Sequence, residues 1–138
     1  MYHSFESLKV WRRSSRLAVS TYQALKGCRD FGLKDQMTRA AVSVPSNIAE
    51  GYERDTNAEF IRFLNIAKGS AAELRTQLYI AKEVGVLSDE AVTELVAECK
   101  EISAMLNGLV KARQSRVQES PQALTGQEAA REAGIPEP

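Results

Sequence analysis

Residues 36–51, Gln-Met-Thr-Arg-Ala-Ala-Val-Ser-Val-Pro-Ser-Asn-Ile-Ala-Glu-Gly, decide the fold. Met37, Ala40, Ala41, Val44 and Ile48 fall at the spacing that gathers them on one face of an α-helix. Beside them runs a polar line: Gln36, Arg39, Ser43, Ser46 or Asn47, and Glu50. Pro45 removes one backbone donor, frees the Ala41 carbonyl and should bend the helix. These residues describe a helix with one packed face and a second face committed to hydrogen bonds.

Working outward, this helix is expected over about residues 33–50, with Gly51 as its stop. An earlier helix is expected over about residues 5–26, with Ser4 as N-cap, Gly27 as stop, and Leu8, Trp11, Ala18, Tyr22 and Leu25 facing inward. Downstream, Thr56 with Glu59 three residues on is a capping box. It opens a third apolar periodicity from Phe60 to Ala81, ending before Gly85. Ser88, backed by Asp89 and Glu90, opens a fourth that runs through Val96, Cys99, Ile102 and Leu106 to Leu109. Four amphipathic helices on short loops predict an all-α fold, an antiparallel up-down four-helix bundle over residues 1–117. From Gln118 the periodicity stops. Pro121, Gly126, Gly134, Pro136 and Pro138 punctuate residues 118–138, expected to form a disordered acidic tail.

Composition narrows the function classes. A hydrophobic fraction of 43% and a charged fraction of 26% are those of an ordinary soluble domain. No apolar run is long enough to span a bilayer, and Met-Tyr-His-Ser-Phe-Glu lacks the basic start and apolar core of a secretory signal. Cys28 and Cys99 are too far apart for a CxxC motif, so reduced thiols in a cytoplasmic protein are expected. The net charge is 0, yet the tail carries a balance of −3, which leaves +3 on the remainder. With His3 as the one histidine, a Ser-His or Cys-His pair in a rigid cleft has no raw material. Glu-x-x-His pairs, zinc-ligand spacings and Gly-rich phosphate loops are all missing from the sequence. The expectation is therefore no catalytic residue, no metal and no cofactor.

Two groups of polar residues remain. Gln36, Arg39, Ser43, Asn47, Glu50, Ser70 and Glu73 fit a half-buried network, with Arg39 pairing with Glu73 or Glu50, that fixes helix register or a subunit contact. The same residues also fit a binding groove in which Arg39 and Asn47 face a ligand; the network is favoured. Lys9, Arg12, Arg13 and Arg16 fall at i, i+3, i+4 and i+7, on one face of the first helix. A second basic stripe holds Lys68, Arg75 and Lys82, with Arg62 close in angle. Either stripe can be a solvated face, or can pair with Glu90, Glu94, Glu98 and Glu101 of the fourth helix. Small residues at Ala40, Ala41, Ser43, Ala49 and Gly51, set against Ala67, Gly69, Ser70, Ala71 and Ala72, predict close helix approach.

The series Arg39-Ala40-Ala41, Ser43, Pro45 and Asn47-Ile48-Ala49-Glu50-Gly51 resembles the signature of the 23S rRNA intervening-sequence protein family, four-helix-bundle proteins. Leu8 and Trp11, and Glu59-Phe60, Phe63-Leu64, Ile66-Ala67, Gly69-Ser70 and Glu73-Leu74, extend the likeness over roughly residues 5–112. The resemblance implies an up-down bundle. Through a relation to accessory proteins of diversity-generating retroelements, it also implies a ring-shaped homopentamer, and those relatives bind a reverse transcriptase and nucleic acid. The expectation that follows is a cytoplasmic, non-enzymatic homo-oligomer binding structured RNA or other nucleic acid through Lys9, Arg12, Arg13 and Arg16, with Arg62, Lys68, Arg75 and Lys82 in support. The alternative is a protein-interaction scaffold, such as an accessory subunit of a reverse transcriptase or another RNA-handling enzyme.

Overall fold

Side-chain caps start three of the four helices in this computed structural model, which describes residues 4–119. The Asp30 carboxylate accepts the Leu33 amide at 3.1 Å and opens α2, Phe31–Tyr52. Thr56 Oγ1 accepts the Glu59 amide at 3.1 Å and opens α3, Asn57–Glu83. Ser88 Oγ accepts the Ala91 amide at 3.2 Å at the head of α4, Asp89–Glu119. Each such cap stabilises its helix by about 1 kcal/mol. The exception is α1, Lys9–Ala24, which follows a 3-10 turn at Phe5–Ser7 and has Leu8 at its N-cap with no side-chain cap bond. Ser4, expected to cap it, instead hydrogen-bonds Glu6, so the helix begins one turn later than its periodicity suggests. Gly27 and Gly85, at φ 94° and 77°, close the turns after α1 and α3 in a backbone region that side chains disfavour.

Ser43 meets Ser70, and Gly51 meets Phe63, so α2 and α3 run antiparallel. Lys68 meets Asn107, and Asn57 meets Arg113, so α3 and α4 do as well. α1 packs on α2 and α4, which leaves it diagonal to α3. The four helices enclose one core in which Leu17, Leu25, Met37, Ile48, Leu64, Leu74, Leu78, Ile102 and Leu106 are almost fully buried. Burying a side chain of this size is worth about 1.5–3 kcal/mol. The described residues contain no strand, and none of their helices is long and apolar enough to cross a membrane. Residues 120–138, the bulk of the expected tail, lie outside the described residues, as does His3. α4 itself reaches Glu119.

Three local expectations are corrected. Tyr22, placed inward by its spacing, is 52% exposed because α1 turns only a narrow stripe toward its neighbours. Gly51 does not stop α2, which continues to Tyr52. Its role is close approach: a Cβ there would lie 2.5 Å from Phe63 Cβ and 3.1 Å from the Phe60 ring. Gly69 and Ala72, by contrast, are exposed, and a Cβ at Gly69 would meet nothing within 4 Å. The close α2–α3 seam is made by Ala40, Ala41, Ala67 and Ala71, all buried, together with Gly51. Pro45 is buried in α2, which runs through it as one helix.

Gly51→Ala is expected to lower unfolding free energy by about 1–3 kcal/mol through overpacking. Gly108→Ala, where a Cβ meets open space, should raise it by about 1 kcal/mol through helix propensity. Urea denaturation of the two variants reads the difference, and equal effects would contradict the close approach.

Candidate nucleic-acid interface

The first turn of α1 contains no acid, and Lys9, Arg12 and Arg13 crowd its N-terminal half. The helix dipole is positive at that end, so each cation there costs about 0.3–1 kcal/mol at low salt. Lys9, Arg12, Arg13 and Arg16 line one open groove between α1 and α4, about 730 Å³ in volume, together with Leu17, Ser20, Glu94, Leu95 and Glu98. Phe5 anchors the turn before α1 by an edge-on contact with Trp11, ring centroids 5.2 Å apart. Arg12 Nη1 donates to the Glu6 carbonyl at 2.9 Å and is held against that turn with its charge unneutralised.

The four cations are not equivalent. Arg13 donates from Nε and Nη2 to both oxygens of Glu98, at 2.9 and 2.7 Å, and its Nη1 lies 3.8 Å from Met105 Sδ. The hydrogen-bonded Glu98 carboxylate raises the Arg13 pKa above the ordinary guanidinium value, against the effect of burial. Arg13 therefore ties α1 to α4. Lys9, Arg12 and Arg16 are exposed, and none of them pairs with a carboxylate among the described residues.

The second stripe does not join this groove, because α3 is diagonal to α1. Arg62 pairs with Glu59 at 3.3 Å and lies over the Phe63 ring, 4.7 Å from its centroid. Lys68 Nζ donates to Asn107 Oδ1 at 2.9 Å. Arg75 is half-buried near Cys99, and Lys82 borders a smaller groove of about 270 Å³ with Tyr79 and Lys100.

The polar line of α2 splits into parts. Asn47 Nδ2 donates to the Ser43 carbonyl and hydroxyl at 2.8 and 2.9 Å, and the Ser43 hydroxyl meets that of Ser70 at 2.9 Å. That chain joins three of the seven residues grouped in the sequence, Ser43, Asn47 and Ser70, and it crosses the α2–α3 seam. Arg39 stands apart from it. Its side chain is 77% exposed and pairs with Asp35 one turn back at 3.2 Å, rather than with Glu73 or Glu50. Glu50 sits eleven residues further along α2, roughly 16 Å away, and is held by Arg54 at 3.0 Å. Gln36, Arg39, Ser43 and Glu73 line a shallow depression of about 330 Å³ on the outer surface.

A model of the 23S rRNA-intervening sequence protein family matches residues 6–108. The chain belongs to this family. No curated protein matches it. Among solved structures, it is similar to a protein of unknown function from the S23 ribosomal protein family of Bacteroides thetaiotaomicron VPI-5482, with 26% identity and a TM-score of 0.70. That likeness covers 74% of this chain and 98% of the other. The family match spans the α1 cations and the Ser43–Ser70 seam, and it ends before Arg113.

Arg113 and Arg54 were not singled out by spacing arguments. Arg113 nonetheless follows Leu106 and Val110 on the inward side of α4, where an arginine interrupts the apolar line. Among the described residues, no group of three or more His, Cys, Asp or Glu side chains is placed to hold a metal ion.

The electrostatics of the α3–α4 side make a distinct test. Burial raises the Cys99 thiol from 9.0 to about 12, with Arg75 opposing and Glu98 assisting. The unfolded chain therefore ionises first, so Cys99 stabilises the fold fully below about pH 9 and that contribution is lost as pH rises toward 12. At pH 8, iodoacetamide should label the half-buried Cys28 and spare Cys99 until denaturant is added. Between pH 8 and 10.5, the urea midpoint should fall further in the native sequence than in Cys99→Ala. Equal labelling of both thiols would contradict this.

Proposed function

We propose that this member of the intervening-sequence protein family is a non-enzymatic, cytoplasmic homo-oligomer, a ring of five copies. In this reading it holds structured RNA or another nucleic acid through phosphate contacts from Lys9, Arg12 and Arg16. The observation that carries the reading is the placement of Lys9 and Arg12 at the positive end of α1, with Arg16 further along the same face, on a groove of about 730 Å³ whose α4 wall carries Glu94 and the Arg13-paired Glu98. A bundle that needed only stability would place acids there. The cations and the helix dipole add fields of one sign, and an anion in the groove gains from both. Contacts of this kind supply affinity with little sequence discrimination, and a ring would repeat them around its axis. The exposed apolar side chains Val42, Ile66 and Ile80 on the outer faces of α2 and α3 support self-association.

A second reading, an accessory subunit for a reverse transcriptase or another RNA-handling protein, is favoured by a different observation. Phe31, at the start of α2, is 68% exposed, and Val84, after α3, is 61% exposed. A nuclease-resistant protein partner recovered from the source cell would bring this reading to the front.

The test is fluorescence anisotropy with a labelled structured RNA over a salt series, comparing the native chain with a Lys9→Gln, Arg12→Gln, Arg16→Gln triple variant. Arg13 is kept because it pairs with Glu98. The slope of log K against log salt is expected to shrink by about 2 units, with thermal stability unchanged or slightly higher because the cations no longer oppose the dipole. Unchanged binding in a folded variant would overturn the reading.

A further inference from the structure

Charges on α4 are sorted by side. Between Thr93 and Lys111 its acids are Glu94, Glu98 and Glu101. Glu94 and Glu98 border the groove against α1, and Glu101 acts on the Arg13 guanidinium of α1. Lys100, Asn107 and Lys111 fall at i, i+7 and i+11, on a different face. The bond from Lys68 Nζ to Asn107 Oδ1, 2.9 Å, sets that face beside α3. On α3, Lys68, Arg75 and Lys82 recur every seven residues and form the matching line. The acid that falls between Lys68 and Lys82 is Glu73, and it stands on the α2 side, beside Gln36 and Arg39. The outer seam between α3 and α4 is therefore a basic track, about 21 Å long from Lys68 to Lys82.

An aromatic ring stands in this track. Tyr79 is 46% exposed and borders a depression of about 270 Å³ together with Lys82, Lys100 and Thr93. Val92 and Val96, both buried, give it an apolar floor. Asp89, one turn before Thr93, does not line it. Among the described residues, no carboxylate pairs with Arg75, Lys82 or Lys100, and neither a ring contact nor a hydrogen bond engages the Tyr79 side chain. A tyrosine that served the core would be buried, yet this one lies half open between two cations. That combination matches a nucleotide whose base is unpaired. The base stacks on the ring, and the phosphates on either side meet the lysines. In a duplex the base faces are covered by their neighbours, and a run of carboxylates offers charge without a π-face.

We propose that the α3–α4 seam binds single-stranded nucleic acid, with one base stacked on Tyr79, its flanking phosphates on Lys82 and Lys100, and the strand continuing along Arg75 toward Lys68. The inference rests on the nucleic-acid reading for its class of ligand, but it uses no residue of the α1 groove.

The test is fluorescence anisotropy of the full chain with a short labelled oligouridine over a salt series, beside the same strand annealed to its complement. Tyr79, Lys82 and Lys100 are exposed, so variants at these positions are expected to fold as the native chain does. Tyr79→Leu should weaken single-strand binding about tenfold and leave the salt slope unchanged, while Tyr79→Trp should retain the affinity. Lys82→Gln with Lys100→Gln should reduce the slope of log K against log salt by about 1.4 units. Single-strand binding that survives in the Lys9→Gln, Arg12→Gln, Arg16→Gln variant supports the proposal even where binding of structured RNA is lost. Binding of structured RNA with none of the single strand overturns it and leaves the α1 reading standing. The proposal is also overturned if Tyr79→Leu binds the single strand as tightly as the native chain, or if a polyglutamate of equal charge competes as well as the oligonucleotide.

Discussion

Close approach of α2 and α3 is the constraint on which the rest of the molecule depends. Gly51 lets α2 lie against Phe60 and Phe63, where one added carbon would collide with the Phe63 Cβ. Toward the middle of the seam, buried Ala40, Ala41, Ala67 and Ala71 keep the two surfaces smooth. The Asn47–Ser43–Ser70 chain then fixes the register by hydrogen bonds with no apolar substitute. α4 closes over α3 through Val96, Cys99, Ile102 and Leu106, all buried. The bonds Lys68–Asn107 and Arg113–Asn57 set its phase.

Charge is distributed unevenly around that seam. α2, α3 and α4 carry side-chain caps, and acids stand in the first turns of α3 and α4. α1 is the shortest of the four helices, lacks a side-chain cap, and starts with cations. It is attached through its apolar stripe and through one bidentate ion pair, Arg13 to Glu98. The element least supported by its own sequence is thus the one that carries the groove.

Helix identity was legible in the sequence because caps and apolar spacing agree, as at Thr56 and Ser88. The bundle class followed from four such signals on short loops. Gly51 was misread as a stop because a helix-end glycine and a close-approach glycine look alike until the partner helix is placed. The fate of the charges was less legible. Whether Arg13 faces solvent or Glu98 depends on a residue 85 positions away, and Arg39 pairs with Asp35 because its face of α2 points outward. Arg113 could have been found: it breaks the apolar line of α4 at an inward position.

Native-state hydrogen exchange, resolved by residue and followed against denaturant, tests the primacy of the α2–α3 seam most directly. Amides of residues 44 and 46–51 in α2 and 60–74 in α3 are expected to exchange only through global unfolding, while α1 opens earlier, in a smaller step of lower free energy. Protection of α1 equal to that of the seam, or opening of α2 and α3 before α1, would contradict the account.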